Sequence, residues 1–113
     1  MSGISTHVLD LTHGRGVGGL AVALERRGAG GEWVPLAVAR TDDDGRVREL
    51  APAAAVEAGV HRLVIDTGSH FAARGEATFF PEVVVVFSVI EPDEHVHVPV
   101  LLSPFGFTTY RGT

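Results

Sequence analysis

Apolar residues recur along the chain in short runs rich in valine and leucine, separated by Gly, Pro and Asp: ISTHVLDL, LAVALERR, WVPLAVAR, RVREL, GVHRLVID, EVVVVFSVI and HVHVPVLLS. Runs of this length, bounded by turn formers, predict an antiparallel β-sandwich of about eight short strands. In GAGGE, between Arg27 and Trp33, the glycines supply a hairpin. Strict alternation in GVHRLVID puts His61, Leu63 and Ile65 on one face and Val60, Arg62, Val64 and Asp66 on the other, so one face is expected to be better buried. SHFAARGE breaks the alternation and predicts a helix of about two turns that stops at Gly75. Residues 51–58, APAAAVEA, are alanine-rich, but Pro52 and Gly59 bracket too few residues for a stable helix, which predicts a loop. Val83 to Phe87 is apolar at both parities, so both faces of that strand are expected to be buried. A two-layer sandwich covers only one, and a second copy of the chain covers the other most economically.

The chain has 113 residues, 45% of them hydrophobic, enough for one core and one domain spanning 1–113. Its 9 Lys and Arg against 14 Asp and Glu give a net charge of −5, the wrong sign for a nucleic-acid or anionic-membrane surface. With no cysteine, disulfides, thiolate zinc sites and cysteine nucleophiles are excluded. The start, MSGISTHVLD, lacks the basic-then-apolar pattern of a signal peptide, and no apolar run approaches the ~20 residues that span a bilayer. A soluble cytoplasmic protein is expected.

The chemistry on offer is mostly imidazole. His95 and His97 are two apart, which on a strand puts both rings on one face, a spacing that can present two ligands to a metal ion. A third ligand from His7, His13 or Glu94 cannot be placed by spacing. A histidine can equally act as a general base near pH 7, and with no G-x-S-x-G stretch the nucleophile would be water. Arg46 follows the Asp44-Gly45 turn and opens a strand, from which a guanidinium can reach a pocket. Taken singly, Arg46 also reads as solvated surface and His7 as a packed histidine. The chain closes on Tyr110, Arg111, Gly112 and Thr113, an unusually polar and functional ending.

Together, STHVLD (5–10), TDDDGR (41–46), DTGSHFAARGEATFFPE, FFPEVVVVF (79–87) and HVHVPVLLSPFGFTTYRG (95–112) resemble the 5-hydroxyisourate hydrolases, the transthyretin-related proteins. A YRGS-type ending separates these hydrolases from transthyretin itself, a thyroid-hormone carrier. The resemblance implies a transthyretin-like sandwich with one short helix and a homotetramer, a dimer of dimers whose sites open at the subunit interface. It places the catalytic histidines on His7 and His97, the arginine on Arg46, and the terminal motif on Tyr110, Arg111, Gly112 and Thr113, with Thr113 catalytic and the other three binding substrate. Val96 departs from the tyrosine usual between the two histidines, Phe105 and Phe107 from a frequent tyrosine, and Thr113 from the terminal serine. Threonine keeps the hydroxyl and stiffens χ1.

The reaction implied is hydrolysis of 5-hydroxyisourate to 2-oxo-4-hydroxy-4-carboxy-5-ureidoimidazoline in urate catabolism, with no metal and no cofactor. His7 and His97 would serve as base and proton shuttle, Arg46 would stabilise the oxyanion, and Thr113 would position substrate. Two other readings stand beside it: a non-catalytic small-molecule carrier of the transthyretin type, and a metal-dependent cyclic amidohydrolase using His95 and His97.

Overall fold

A computed structural model describes residues 3–113. The strands are β1 (Gly3–Asp10), β2 (Arg15–Gly16), β3 (Ala21–Arg27), β4 (Trp33–Arg40), β5 (Arg46–Ala51), β6 (Gly59–Ile65), β7 (Val83–Val89), β8 (His95–Ser103) and β9 (Gly106–Thr109), with one helix, α1 (Thr67–Ala73), between β6 and β7. They form two sheets. One runs β2-β1-β8-β9, with β5 sharing the β2 side of β1; the other runs β4-β3-β6-β7. All pairings but one are antiparallel: β1 and β8 run parallel from Gly3↔His95 to Asp10↔Leu102, joined through the whole second sheet.

Alternation decides the core. Val22 and Leu24 of β3, His61, Leu63 and Ile65 of β6, and Val8 and Val100 of the first sheet meet between the layers and are all fully buried. The two expected faces of β6 are the ones observed. On β7, Val83, Val85 and Val89 point inward while Val84 and Val86 remain 39% and 53% exposed. One chain therefore buries one face of this edge strand. The glycine hairpin joins β3 to β4, and Pro35 sits on the outermost strand of its sheet, where a missing N–H interrupts no ladder.

Two local features differ from expectation for identifiable reasons. The helix begins at Thr67 because Asp66, read as the end of a strand face, is its N-cap and accepts the Ser69 N–H. Gly75, at φ +68°, follows the last turn as expected. The 51–58 segment is mostly loop but contains a 3₁₀ turn at Ala53–Ala55.

Asp10, 2% exposed at the end of β1, ties the following loop to α1. One carboxylate oxygen accepts from the Thr12 and His13 backbone N–H groups, the other from His13 Nδ1 and His70 Nε2, both at 2.8 Å. Burial pushes this carboxyl up, but the hydrogen bonds from His70 and His13 outweigh it and hold the pKa at about 2. The folded value lies below the unfolded one. This stabilisation, of order 2 kcal/mol, is thus complete above pH ~4 and is lost progressively as pH falls from there through about 2. Asp10→Ala strands several donors and should destabilise the fold by about 2–4 kcal/mol in urea unfolding near neutral pH. Unchanged stability would show that the cluster is incidental.

Candidate active site

The outer face of the first sheet carries the polar residues that its core face cannot. Parallel register sets Ser5 beside His97 and His7 beside Pro99, while antiparallel register sets His7 beside Arg46. Ser5, His7, His95, His97 and Arg46 thereby share one surface, contributed by three adjacent strands. A cleft of 440 Å³ opens there, lined by Ser5, Thr6, Arg46, Arg48, His95, His97 and Thr113. It is open to solvent.

The TDDDGR turn aims Arg46. Asp42 Oδ1 accepts the backbone N–H groups of Asp44 and Arg46, each at 2.9 Å. The bond from Arg46 holds the Asp42 carboxyl below its ordinary pKa, so the turn keeps its acceptor charged at neutral pH. Gly45, at φ +84°, is required, because a Cβ there would lie 2.3 Å from the Val8 carbonyl. The same turn orients His7, whose Nε2–H donates to the Asp44 carbonyl at 2.9 Å. Nδ1 is left as the acceptor of its neutral ring.

His97 is half-buried. Its Nδ1 lies 2.7 Å from Ser5 Oγ, which also lies 2.7 Å from His95 Nε2. Burial foremost, then the neighbouring His95, Arg46 and His7, push the His97 pKa below 6.5, so the ring is neutral and basic at pH 7. The two histidines of HVH thus converge on a serine. Among the described residues no three His, Asp or Glu side chains converge as a metal site needs.

The chain end reaches this face by continuing antiparallel beside β8 past the end of β9, from Thr109 opposite Val100 to Gly112 opposite His97. His97 and Pro99 both turn their carbonyls away from β1: the first accepts the Gly112 N–H at 2.8 Å, the second the Thr109 hydroxyl at 2.9 Å. The N–H that proline lacks falls where Tyr110 and Arg111 leave the ladder. Gly112 then packs against the imidazole, since a Cβ there would stand 2.6 Å from His97 Cδ2. Thr113 lines the cleft. Tyr110 and Arg111 do not enter it in a single chain: they border an apolar cavity of 310 Å³ beside β7, and Arg111 lies 3.5 Å from Glu94.

Of the expected site residues, His7, Arg46, His97, Gly112 and Thr113 come together, and the side chains of Tyr110 and Arg111 lie apart. Ser5 and Arg48 were not singled out from the sequence. Each is two residues from one that was, so strand parity alone places them on the same face.

The sequence profile of the HIUase/Transthyretin family matches residues 4–112. A 5-hydroxyisourate hydrolase from Caulobacter vibrioides is 42% identical, with both chains covered in full. The solved structure of Klebsiella pneumoniae 5-hydroxyisourate hydrolase superposes with a TM-score of 0.87 at 36% identity, covering 100% of each chain. Transthyretin from Sparus aurata superposes at 0.93 with 29% identity, covering 99% of this chain and 97% of that one. With nearly its whole length matched by the profile and by relatives at this identity, the chain belongs to the HIUase/Transthyretin family.

Proposed function

We propose that this protein hydrolyses 5-hydroxyisourate to 2-oxo-4-hydroxy-4-carboxy-5-ureidoimidazoline in urate degradation, using the cleft on the outer face of β5, β1 and β8. The observation that carries this reading is the meeting of a neutral His97 with His7 and Arg46 on one face. Water adds to a ring carbonyl as an imidazole takes its proton. The carbonyl oxygen becomes an oxyanion facing the Arg46 guanidinium, and the carbon–nitrogen bond breaks with the proton returned to the departing nitrogen. His97 and His7 share the base and shuttle work, and the Thr113 hydroxyl helps position the substrate. A ring carbonyl is electrophilic enough for this without a metal, so turnover should be unchanged after exhaustive chelation. Loss of activity on chelation and recovery with zinc would favour the metal-dependent amidohydrolase instead. Product analysis supplies the other arm: ring-opened product supports the hydrolase, and recovery of intact ligand bound one per site supports the carrier.

The working assembly in this reading is a homotetramer, a dimer of dimers with clefts at the subunit interface. Its support is the exposed apolar face of edge strand β7, where Val84 and Val86 await cover together with Ile90 just past the strand's end. In that assembly Tyr110 and Arg111, beside β7, would contribute to binding across an interface rather than within their own chain. Sedimentation at micromolar concentration should give four times the 11.9 kDa chain mass. A monomer would remove the shared site. A cytoplasmic location accords with a chain that has no cysteine to oxidise, and no helix among the described residues is long and apolar enough to cross a membrane.

A further inference from the structure

Ser5 has no part in the reaction above, yet it is only 6% exposed and its hydroxyl touches two imidazoles. A hydroxyl has a single proton to give, and leaving it without an acceptor in a buried place costs about 1–3 kcal/mol. The proton therefore lies along one of the two bonds. If it points to His95 Nε2, His97 must donate its Nδ1–H to Ser5, and His97 Nε2, across the ring, keeps its lone pair. If it points to His97 Nδ1, His95 donates to Ser5, and His97 Nε2 carries the proton. One hydroxyl thus locks the tautomers of both rings together.

We propose that Ser5 is a positioning residue that holds His97 as the Nδ1–H tautomer, with a bare Nε2 for proton abstraction. The groups facing His97 are Ser5 and His7 from β1, Arg46 and Arg48 from β5, His95 from its own strand, and Gly112 and Thr113 from the chain end. With Arg46 and Arg48 lining the cleft, the local field favours a lone pair over an N–H there. His95 takes the Ser5 proton only while its Nε2 is bare.

The kinetic part rests on the hydrolase reading; the tautomer part does not. The test combines nitrogen NMR of 15N-histidine-labelled full chain with steady-state kinetics on 5-hydroxyisourate. The wild-type spectrum near neutral pH should show His97 protonated on Nδ1. Ser5→Ala should mix the tautomers and lower kcat about 10- to 100-fold, the scale seen when a hydrogen-bond partner that orients a metal-ligating histidine is lost, with KM changed by no more than about twofold. Ser5→Thr, which keeps the hydroxyl on a β-branched residue suited to a strand, should restore both. An Nε2–H tautomer in the wild type, or a wild-type kcat in Ser5→Ala, overturns the proposal. Should Ser5→Ala fail to fold, the wild-type spectrum still decides. A wild-type protein inactive on 5-hydroxyisourate would refute the hydrolase reading and leave the spectrum to judge this one separately.

Discussion

Replacing His97 with alanine should lower kcat/KM on 5-hydroxyisourate by at least about 100-fold, the ordinary reach of a general base, with the fold retained. The side chain lies on the outer face of β8, outside the packed core, so its loss opens no cavity between the sheets. What it removes is an imidazole kept neutral for proton abstraction. Burial is the largest cause, and His95, Arg46 and His7 add to it by disfavouring a second positive charge among them. The sign fixes the pH profile. A histidine with its pKa below 6.5 is mostly in its basic form at neutral pH, so the acid limb of activity should be centred below pH 6.5. An acid limb centred above 6.5, or wild-type turnover in His97→Ala, would remove this histidine from the mechanism.

Deleting Arg111, Gly112 and Thr113 should lower activity at least about 100-fold while the sandwich persists, because a 1 Å misplacement of a catalytic group can cost that much and terminal residues contribute little to a core. The deletion takes Thr113 from the cleft and the Gly112 N–H from the His97 carbonyl. Gly112→Ala isolates the steric part. Its new methyl would overlap the His97 ring at 2.6 Å and crowd Pro99 at 3.2 Å, so either the imidazole or the chain end must move. We expect an intermediate loss with near-normal thermal stability. Thr113→Ser should be close to neutral, whereas Thr113→Val keeps the shape and tests the hydroxyl. Full activity in the three-residue deletion would leave the terminus without a catalytic part.

The sequence disclosed what local rules govern. Glycines between Arg27 and Trp33 demanded a hairpin, and period-two alternation separated His61, Leu63 and Ile65, the face that proves buried, from Val60, Arg62, Val64 and Asp66. The helix start escaped because Asp66 serves two readings, the last residue of an alternating face and an N-cap, and only the capping bond to Ser69 distinguishes them. Parallel pairing of β1 with β8 escaped for a different reason. It joins segments some ninety positions apart, and no periodicity within either reveals a partner or a register. The Ser5 bridge follows from that register alone, so a motif containing STH and another containing HVH gave no hint that one serine would stand between two imidazoles. Resemblance supplied His7, Arg46 and His97, where spacing left Arg46 as solvated surface, His7 as a packed histidine and His97 as half of a metal-binding pair or a general base. It also pointed to the terminal tetrapeptide, but not to how Pro99 and Gly112 divide that segment, sending Tyr110 and Arg111 to one side of the sheet edge and Thr113 to the other.

The most direct measurement is the decay of freshly generated 5-hydroxyisourate followed by its absorbance, with protein present at far below substrate concentration and a chelator in the buffer. The hydrolase reading predicts decay well above the spontaneous rate, many turnovers per chain, and a return to near-spontaneous decay in Arg46→Ala, which keeps the cleft but removes the group facing the oxyanion. Decay at the spontaneous rate with the wild-type protein would contradict it.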